Sequence, residues 1–337
     1  MSLATKYRPQ EFEDVCSQKI IIKILKKQLE LRKFSNIYLF CGKTGIGKTT
    51  LARIFSNKIN NGQGTPIEID AASNNGVDNI RAIITDAKER SLDSEYKIYI
   101  LDEIHMLTTQ AWNAFLKCLE EPPKYTIFIC CTTDPQKIPS TIMNRMMRFN
   151  LTPIPDTDIE LRLNKICELE NFTSYKESTN YISKISDGSM RNAISYLEII
   201  SNYDNNIIIE NTLNILGKYS YDLMFDLTNN ILDLNNEKLL NTLNLIFNEG
   251  KDFKLFIDQY INFVLDLDKY CILKNINVTN IPKFMIDKLN YTVNIENNIK
   301  YFNFLLNKLL DLKDMIKTDT NIKSTITIKL LELIRGN

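Results

Sequence analysis

The residues of this chain with the clearest chemical signature form a glycine-rich loop of eight residues. It reads GKTGIGKT and fits the pattern G-x-x-x-x-G-K-[ST], which predicts a phosphate-binding loop where a strand precedes it and a helix follows. The apolar run 36–41 precedes the loop, and residues 50–59 have helical spacing. Glycines let backbone N–H groups face a phosphate, and the positive end of the helix favours the same anion. The predicted nucleotide-binding residues here are Gly42, Lys43, Thr44, Gly45, Ile46, Gly47, Lys48, Thr49 and Thr50.

Four side chains in and near this loop have predicted roles in phosphoryl transfer. Lys48 is predicted to reach the β- and γ-phosphates of ATP, and the Thr49 hydroxyl to hold Mg²⁺. Asp102 and Glu103 directly follow an apolar strand. There one carboxylate can hold Mg²⁺ through its water shell, and the next can deprotonate an attacking water. We assign the metal role to Asp102 and the general-base role to Glu103; without the loop, an exposed charged turn would be the better explanation of this pair.

Phosphoryl transfer also requires positive charge at the γ-phosphate. Arg145 precedes the last predicted strand, and Arg191 begins a helix farther along the chain. Arg148 is the alternative to Arg145, and from the residues alone a solvated surface arginine is the favoured explanation of each. The single histidine, His105, receives a structural or coupling role because Glu103 already fills the base position.

Strands and helices alternate over the first 153 residues. An extended arm is predicted at 6–18, a strand at 67–70 between polar turn clusters, and a helix at 77–90. The strands at 97–101 and 125–131 are continuous apolar runs, which indicates a parallel sheet covered on both faces. We therefore predict an α/β nucleotide-binding domain over residues 1–153. After Pro153 and Pro155 the pattern is helical only, over 154–211 and again over 212–337.

Composition excludes several classes of protein. Lys+Arg and Asp+Glu are 41 each, so overall charge argues neither for nor against a nucleic-acid partner. No apolar run is long enough for a bilayer and the N-terminus has no signal-peptide core, so we expect a cytoplasmic protein without a membrane partner. The seven cysteines are scattered without a C-x-x-C pair and are predicted to be reduced core thiols.

Seven separate motifs of this chain resemble those of the AAA+ clamp-loader ATPases, above all the gamma/tau family of bacterial DNA polymerase III. They are KYRP from Lys6, GKTGIGKTT from Gly42, IEIDAASNNGVDNIR from Ile67, YILDEIHML from Tyr99, NAFLKCLEEPP from Asn113, CTTDPQKIPSTIMNRMMRF from Cys131 and DGSMRNAISYLE from Asp187. The resemblance implies three parts: an α/β, RecA-like AAA+ domain (1–153), a small helical lid (154–211) and an all-α collar that oligomerises (212–337).

The resemblance also implies roles for individual residues. Thr133 occupies the sensor-1 position, and Arg191 the sensor-2 position that reaches the γ-phosphate from the lid. Arg145 matches the arginine of the family's Ser-Arg-Cys motif, which acts in trans on the ATP of a neighbouring subunit. The segment that borders the adenine is matched by Tyr7, Arg8, Pro9 and Val15.

The function implied is that of an ATP-hydrolysing clamp-loader subunit. It would work in a five-membered assembly with copies of itself and delta- and delta-prime-like subunits. ATP binding would let the assembly grip and open a sliding clamp, and primer–template DNA would trigger hydrolysis and clamp release. DNA contact is expected at residues 73–81, with Arg81 and Lys88 as candidates, although an exposed helix face explains both equally well. The clamp contact is expected at 86–95.

The chain departs from the family pattern in several places. A zinc module with four cysteines is replaced by residues 58–66, which contain no cysteine, so we expect ATP and Mg²⁺ as ligands and no zinc. This resembles a short, gamma-like form. The arginine motif reads Asn144-Arg145-Met146, which keeps the arginine but not its neighbours, and Asn192 stands where aspartate is usual. Cys16-Ser17 replaces the usual Val-Gly pair.

Two alternatives belong to other functional classes. A structural subunit of the same complex that binds no ATP is disfavoured by the intact Lys48, Thr49 and carboxylate pair. Another AAA+ DNA-processing ATPase, such as a helicase loader or a recombination-associated protein, is disfavoured by three features. They are the Glu120-Glu121-Pro122-Pro123 stop, the Thr-Thr-Asp-Pro stretch from Thr132 and the resemblance of the collar.

Overall fold

The computed structural model describes residues 2–216, 220–248, 252–293 and 298–335. The chain divides into two compact units. The first comprises Met1–Ile166 and Ser186–Glu198, and the second comprises Cys167–Ile185 and Ile199–Asn337. The three domain ranges drawn from the sequence stay a prediction.

A five-stranded parallel sheet forms the centre of the first unit, with the order β2-β3-β4-β1-β5. The strands are β1 (Ile37–Cys41), β2 (Ile67–Asp70), β3 (Lys97–Asp102), β4 (Thr126–Thr132) and β5 (Met147–Asn150). Every neighbouring pair is parallel, which confirms the predicted α/β, RecA-like fold class. Because β1 pairs with β4 on one side and β5 on the other, the glycine-rich loop leaves the sheet at an interior strand.

The described residues form sixteen α-helices across the two units. They are α1 (Leu3–Lys6), α2 (Lys19–Leu31), α3 (Lys48–Ile59), α4 (Val77–Ala87), α5 (Thr109–Glu120), α6 (Ser140–Met143), α7 (Asp156–Glu170), α8 (Lys176–Ile185), α9 (Met190–Ser201), α10 (Ile209–Ile215), α11 (Tyr221–Leu232), α12 (Asn236–Asn248), α13 (Phe253–Leu273), α14 (Ile286–Val293), α15 (Asn298–Met315) and α16 (Ile322–Arg335).

Both faces of the sheet are covered, as the continuous apolar runs predict. On one face the Phe115 ring of α5 meets the Phe128 ring of β4 edge-on, with centroids 5.2 Å apart. On the other face Phe55 of α3 meets Tyr38 of β1 edge-on at 5.1 Å. Successive side chains of a strand point to opposite faces, so a strand buried on both faces must be apolar at every position. All five residues of β1 are buried accordingly.

Three local expectations differ from the structure. The predicted extended arm at 6–18 contains the end of α1 and a 3₁₀ turn at Phe12–Asp14. Helix α4 ends at Ala87 rather than at residue 90. The region after residue 153 is expected to contain helices and no strands. It contains two short strands, β6 (Thr173–Ser174) and β7 (Asn206–Ile207), which pair in parallel. Two residues are too few for a period-two pattern to indicate a strand.

The second unit is mainly helical and has its own apolar core. Its centre is α13, where the Phe256 and Tyr260 rings stack at 5.8 Å and the Phe263 ring meets Phe225 of α11 edge-on at 4.8 Å. The stacked and edge-on contacts are the ring geometries that aromatic pairs prefer. Within the four described ranges, no helix is both long and apolar enough to cross a membrane.

Candidate nucleotide-binding site

The glycine-rich loop joins β1 to α3 and is tied to the sheet at its start. The Gly42 N–H donates to the Thr132 carbonyl of β4 at 3.1 Å. Gly45 and Gly47 have φ angles of +78° and +108°, a left-handed region that costs glycine nothing. The loop therefore curls at its glycines and places the N-terminus of α3 at the carboxyl edge of the sheet. This is the setting that a phosphate-binding loop requires.

The Lys48 side chain folds back over the loop. Its Nζ donates to the carbonyls of Gly42 at 2.8 Å and Lys43 at 3.0 Å, and the residue is only 6% exposed. Burial lowers the pKa of the Lys48 ammonium, and the nearby Glu103 carboxylate opposes that shift. The ammonium is therefore a charge held at a fixed place in the loop.

Thr49 and the two carboxylates form the next part of the site. The Thr49 hydroxyl donates to Asp102 Oδ2 at 2.7 Å, while Asp102 Oδ1 accepts the Glu103 N–H at 3.0 Å. A hydroxyl and a carboxylate side by side are the hard oxygen ligands that Mg²⁺ prefers, so this pair fits a magnesium ion. Glu103 itself has a φ of +47°, which is uncommon for a residue other than glycine.

The Glu103 carboxylate is held by donors from the end of β4. Its Oε2 accepts the hydroxyl of Thr133 at 2.9 Å and the backbone N–H of the same residue at 3.2 Å. His105 Nδ1 lies 3.3 Å from this oxygen and 3.1 Å from the Thr132 hydroxyl. The side chain of His105 is only 9% exposed, so it packs behind the carboxylate, consistent with the structural or coupling role given to it.

One pocket in the first unit gathers most of the predicted site residues. The predicted site residues that line this pocket are Tyr7, Arg8, Pro9, Val15, Thr44, Gly45, Ile46, Gly47, Lys48, Thr49, Thr50, Asp102, Glu103 and Arg191. The sequence reasoning missed the remaining wall, which is formed by Ala4, Cys16, Ile154, Arg162, Met190 and Ile194. Cys16 adjoins the predicted Val15, and Met190 and Ile194 lie in the motif that contains Arg191, so these three could have been found. Ala4, Ile154 and Arg162 lie outside the quoted motifs.

The wall opposite the loop is the turn that leads into α9. The Arg191 N–H lies 3.4 Å from the Gly45 carbonyl, and a Cβ on Gly45 would lie 2.0 Å from Ser189 Oγ. Only glycine fits at this position, because this turn packs directly on the loop. Gly42 and Lys43 lie outside the pocket lining; Gly42 anchors the loop, and Lys43 forms an ion pair with Asp187 at 2.7 Å.

The N-terminal arm forms another wall and is fixed by α7. Arg162 donates to the Tyr7 carbonyl at 2.9 Å, which ties the arm to that helix. Cys16, beside them, is partly buried, and burial raises the pKa of its thiol. The other six cysteines are buried free thiols, as expected of core residues.

Besides Gly42 and Lys43, two more predicted residues lie outside this pocket. Thr133 contacts the pocket residue Glu103 through the two hydrogen bonds described above. Arg145 projects from the turn after α6, where it bonds to Glu120 Oε1 at 2.8 Å and to the Thr141 carbonyl at 2.6 Å. Arg148 donates to Asn150 Oδ1 at 2.8 Å and is likewise outside the lining.

Metal-binding clusters of another kind are missing from the part of the chain that the structure describes. No group of three His, Cys, Asp or Glu side chains there could hold a metal ion. The residues at 58–66, where the resembling family carries its zinc module, are organised by hydrogen bonds instead. The Asn60 side chain donates to the Tyr96 carbonyl at 2.8 Å and accepts the Tyr96 N–H at 3.0 Å.

The sheet order, the glycine-rich loop and the carboxylates at the end of β3 define a P-loop protein of the AAA+ class. Solved structures agree at the level of the fold: the Thermotoga maritima RuvB Holliday junction branch migration motor matches with a TM-score of 0.54 and 20% identity, over 67% of this chain and 79% of that one. A family model described as "DNA polymerase III, delta subunit" matches residues 65–155.

The proteins that match in sequence identify the family more specifically than the solved structures do. The chain is 34% identical to DNA polymerase III subunit gamma of Buchnera aphidicola subsp. Schizaphis graminum, over 78% of each chain. It is 40% identical to DNA polymerase III subunit tau of Bacillus subtilis, over 78% of this chain and 51% of that one. The chain belongs to the gamma/tau family of DNA polymerase III subunits. It spans about half the length of the Bacillus relative and of the Mycoplasma genitalium gamma/tau subunit, of which it covers 52%.

Proposed function

We propose that this chain is an ATP-hydrolysing subunit of a DNA polymerase sliding-clamp loader. The observation that carries the proposal is the joint position of Lys48, the Thr49–Asp102 pair and the Thr133-held Glu103 around one pocket. Lys48 would hold the β- and γ-phosphates, and Glu103 would take a proton from the attacking water. Thr49 and Asp102 would hold Mg²⁺, which when bound neutralises charge on the phosphate oxygens.

The adenine would lie between the arm and the residues of the predicted lid range that line this pocket. Tyr7, Pro9 and Val15 line that end of the pocket from the arm, and Ile154 and Ile194 line it from the other side. Arg191 lies at the phosphate end, where a sensor-2 arginine would be needed. No zinc is needed in this proposal, because hydrogen bonds fix the joint between α3 and β2.

Arg145 would act on the ATP of a neighbouring subunit. It lies on the surface, 38% exposed, and outside the pocket of its own chain. An arginine at such a position can stabilise transition-state charge only in another molecule. The proposal therefore includes an assembly in which copies of this chain, with delta- and delta-prime-like subunits, form a pentamer.

The clamp would contact the loop after α4. Leu92 is fully exposed at the tip of this loop. The Arg90 guanidinium at the start of the loop lies 3.9 Å from the centre of the Tyr125 ring, and within the loop the Ser91 hydroxyl donates to Asp93 at 2.7 Å. An exposed loop that presents one apolar side chain suits insertion into a pocket of a partner. Clamp pull-down with Leu92→Ala tests this, with the exposed Leu31→Ala as the matched control; equal recovery by both variants would refute the contact.

Primer–template DNA would contact the N-terminal turn of α4. This helix begins after residues 73–76 with Gly76 as its N-cap, and Arg81 on the same helix is 67% exposed and pairs with Asp78 at 3.2 Å. Backbone contacts of this kind give binding that weakens with salt and does not depend on sequence. Alanine substitutions over 73–81 should reduce DNA stimulation of the ATPase, and unchanged stimulation would exclude this surface.

The test of the main proposal is steady-state ATPase activity of the assembled complex with clamp, a delta-type partner and primed DNA. We expect strong stimulation by clamp plus DNA, which Lys48→Ala and Arg145→Ala abolish. Arg148→Ala is the matched control for Arg145 and should retain stimulation. Activity that is indifferent to clamp and DNA in a fully assembled complex would favour another AAA+ DNA-processing ATPase.

A further inference from the structure

The surface arginine Arg145 is held by two acceptors of its own chain. Its Nη2 donates to Glu120 Oε1 at 2.8 Å, and its Nη1 donates to the Thr141 carbonyl at 2.6 Å. The two bonds use different terminal nitrogens, so they fix the plane of the guanidinium as well as its position. A guanidinium has five N–H donors in a rigid fork, so it can hold both acceptors and still donate to an anion.

One acceptor is a side-chain carboxylate and the other is a backbone carbonyl, and each comes from a different helix. Glu120 is the last residue of α5, which ends two residues before Pro122, and Thr141 lies within α6. The Arg145 N–H itself donates to the Ile142 carbonyl at 3.0 Å. The neighbouring side chains of Ile142 and Met146 are buried in the core beneath, at 2% and 8% exposure. Hydrogen bonds therefore hold both the backbone of Arg145 and its guanidinium group.

The contact between Glu120 and Arg145 is too exposed to matter much for folding. The two side chains are 45% and 38% exposed, and ion pairs in such surroundings add little to stability. Orientation is a different matter, because a free arginine side chain loses substantial rotamer entropy when it engages an anion. An arginine already held in one orientation has lost that entropy before the anion arrives.

We infer that Glu120 is a positioning residue, which orients Arg145 for the phosphate groups bound by a neighbouring copy of this chain. The inference rests on the proposed trans role of Arg145 and deepens it. Glu120 does not contact the nucleotide of its own chain, since it lies outside the pocket that contains Lys48. Its effect must therefore pass through Arg145.

A mutant cycle in the assembled complex tests this dependence. ATPase kinetics with clamp and primed DNA are measured for Glu120→Ala, Arg145→Ala and the double variant. We expect Glu120→Ala to lower kcat about tenfold, a part of the rotamer entropy of one arginine, with KM for ATP unchanged. The double variant should be no slower than Arg145→Ala alone. Glu120→Gln keeps an acceptor oxygen and should recover most of the lost kcat.

Glu121→Ala is the matched control. Glu121 is an exposed neighbour of Glu120, so its replacement removes the same charge from the same end of α5 and should leave kcat unchanged. Thermal unfolding and size-exclusion chromatography establish that each variant folds and assembles. The inference is overturned if Glu120→Ala leaves kcat unchanged or raises it, or if it slows the Arg145→Ala background further. If Arg145→Ala itself leaves kcat unchanged, both the inference and the proposed trans role of Arg145 fail. If Arg145→Ala lowers kcat but Glu120→Ala does not, only the inference is refuted.

Discussion

Replacing Thr133 with valine removes a hydroxyl from the site while keeping the shape of the side chain. That hydroxyl donates to Glu103 Oε2 at 2.9 Å, and the backbone N–H of Thr133 donates to the same oxygen at 3.2 Å. A hydrogen bond to a charged group contributes about 1.5–3 kcal/mol. Because the backbone donor and His105 remain, the loss should fall at the low end, about 1.5 kcal/mol. If the bond holds Glu103 in its reactive orientation, kcat should fall about tenfold.

The assay is steady-state ATPase of the assembled complex, together with equilibrium binding of a fluorescent ATP analogue. Binding should be unchanged, since Thr133 does not line the pocket. Thr133→Ser keeps the donor and is the control that should retain kcat. An unchanged or increased kcat in Thr133→Val would mean that the bond restrains Glu103 rather than orienting it, and equal losses in the serine and valine variants would point to packing instead.

Two further predictions concern stability. Phe115→Ala should destabilise the first unit by about 3–5 kcal/mol in urea unfolding, because the fully buried ring packs edge-on against Phe128 and leaves a cavity; a loss below about 1 kcal/mol would contradict this packing. Asp268 in α13 is 8% exposed, its Oδ1 accepts no hydrogen bond, and burial raises the pKa of its carboxyl. An acid whose folded pKa is raised destabilises the protein above that pKa and not below the unfolded pKa. Asp268→Asn should therefore raise Tm at pH 7–8 by about 2–4 °C. This gain should shrink as the pH falls towards 4. The control Asp226→Asn, at an exposed position of α11, should show no such gain.

The parts of the site that lie in one stretch of sequence could be predicted from it. The glycine-rich loop and the Asp102–Glu103 pair each follow a buried apolar strand, and parallel strands end at one edge of a sheet. The bounds of β2 agree with the predicted strand at 67–70 because polar clusters flank it. Strong local signals therefore predicted that these residues lie together at one edge of the sheet, without any knowledge of distant contacts.

The rest of the site depends on contacts between segments far apart in the chain. Arg162 reaches the Tyr7 carbonyl across 155 residues, and the turn at Ser189 packs on Gly45. Neither contact has a periodicity or spacing that a single sequence displays. The same is true of Glu120 beside Arg145, whose two segments are joined only by the fold. Such pairings require the three-dimensional structure because nothing local demands them.

The central place of β1 in the sheet has a consequence for how the protein acquires its site during synthesis. Both partners of β1 are made much later than β1 itself: Cys41 pairs with Thr132 of β4 and with Asn150 of β5. A ribosome adds about 5–20 residues each second, so β1 leaves it roughly 5–20 s before its first partner strand is complete. During that interval an apolar strand and an unformed loop stand unpaired, and pairings this distant in sequence are slow to form. Until β5 is made, β1 therefore has a partner strand on one side only, and its open apolar edge is available for wrong pairings.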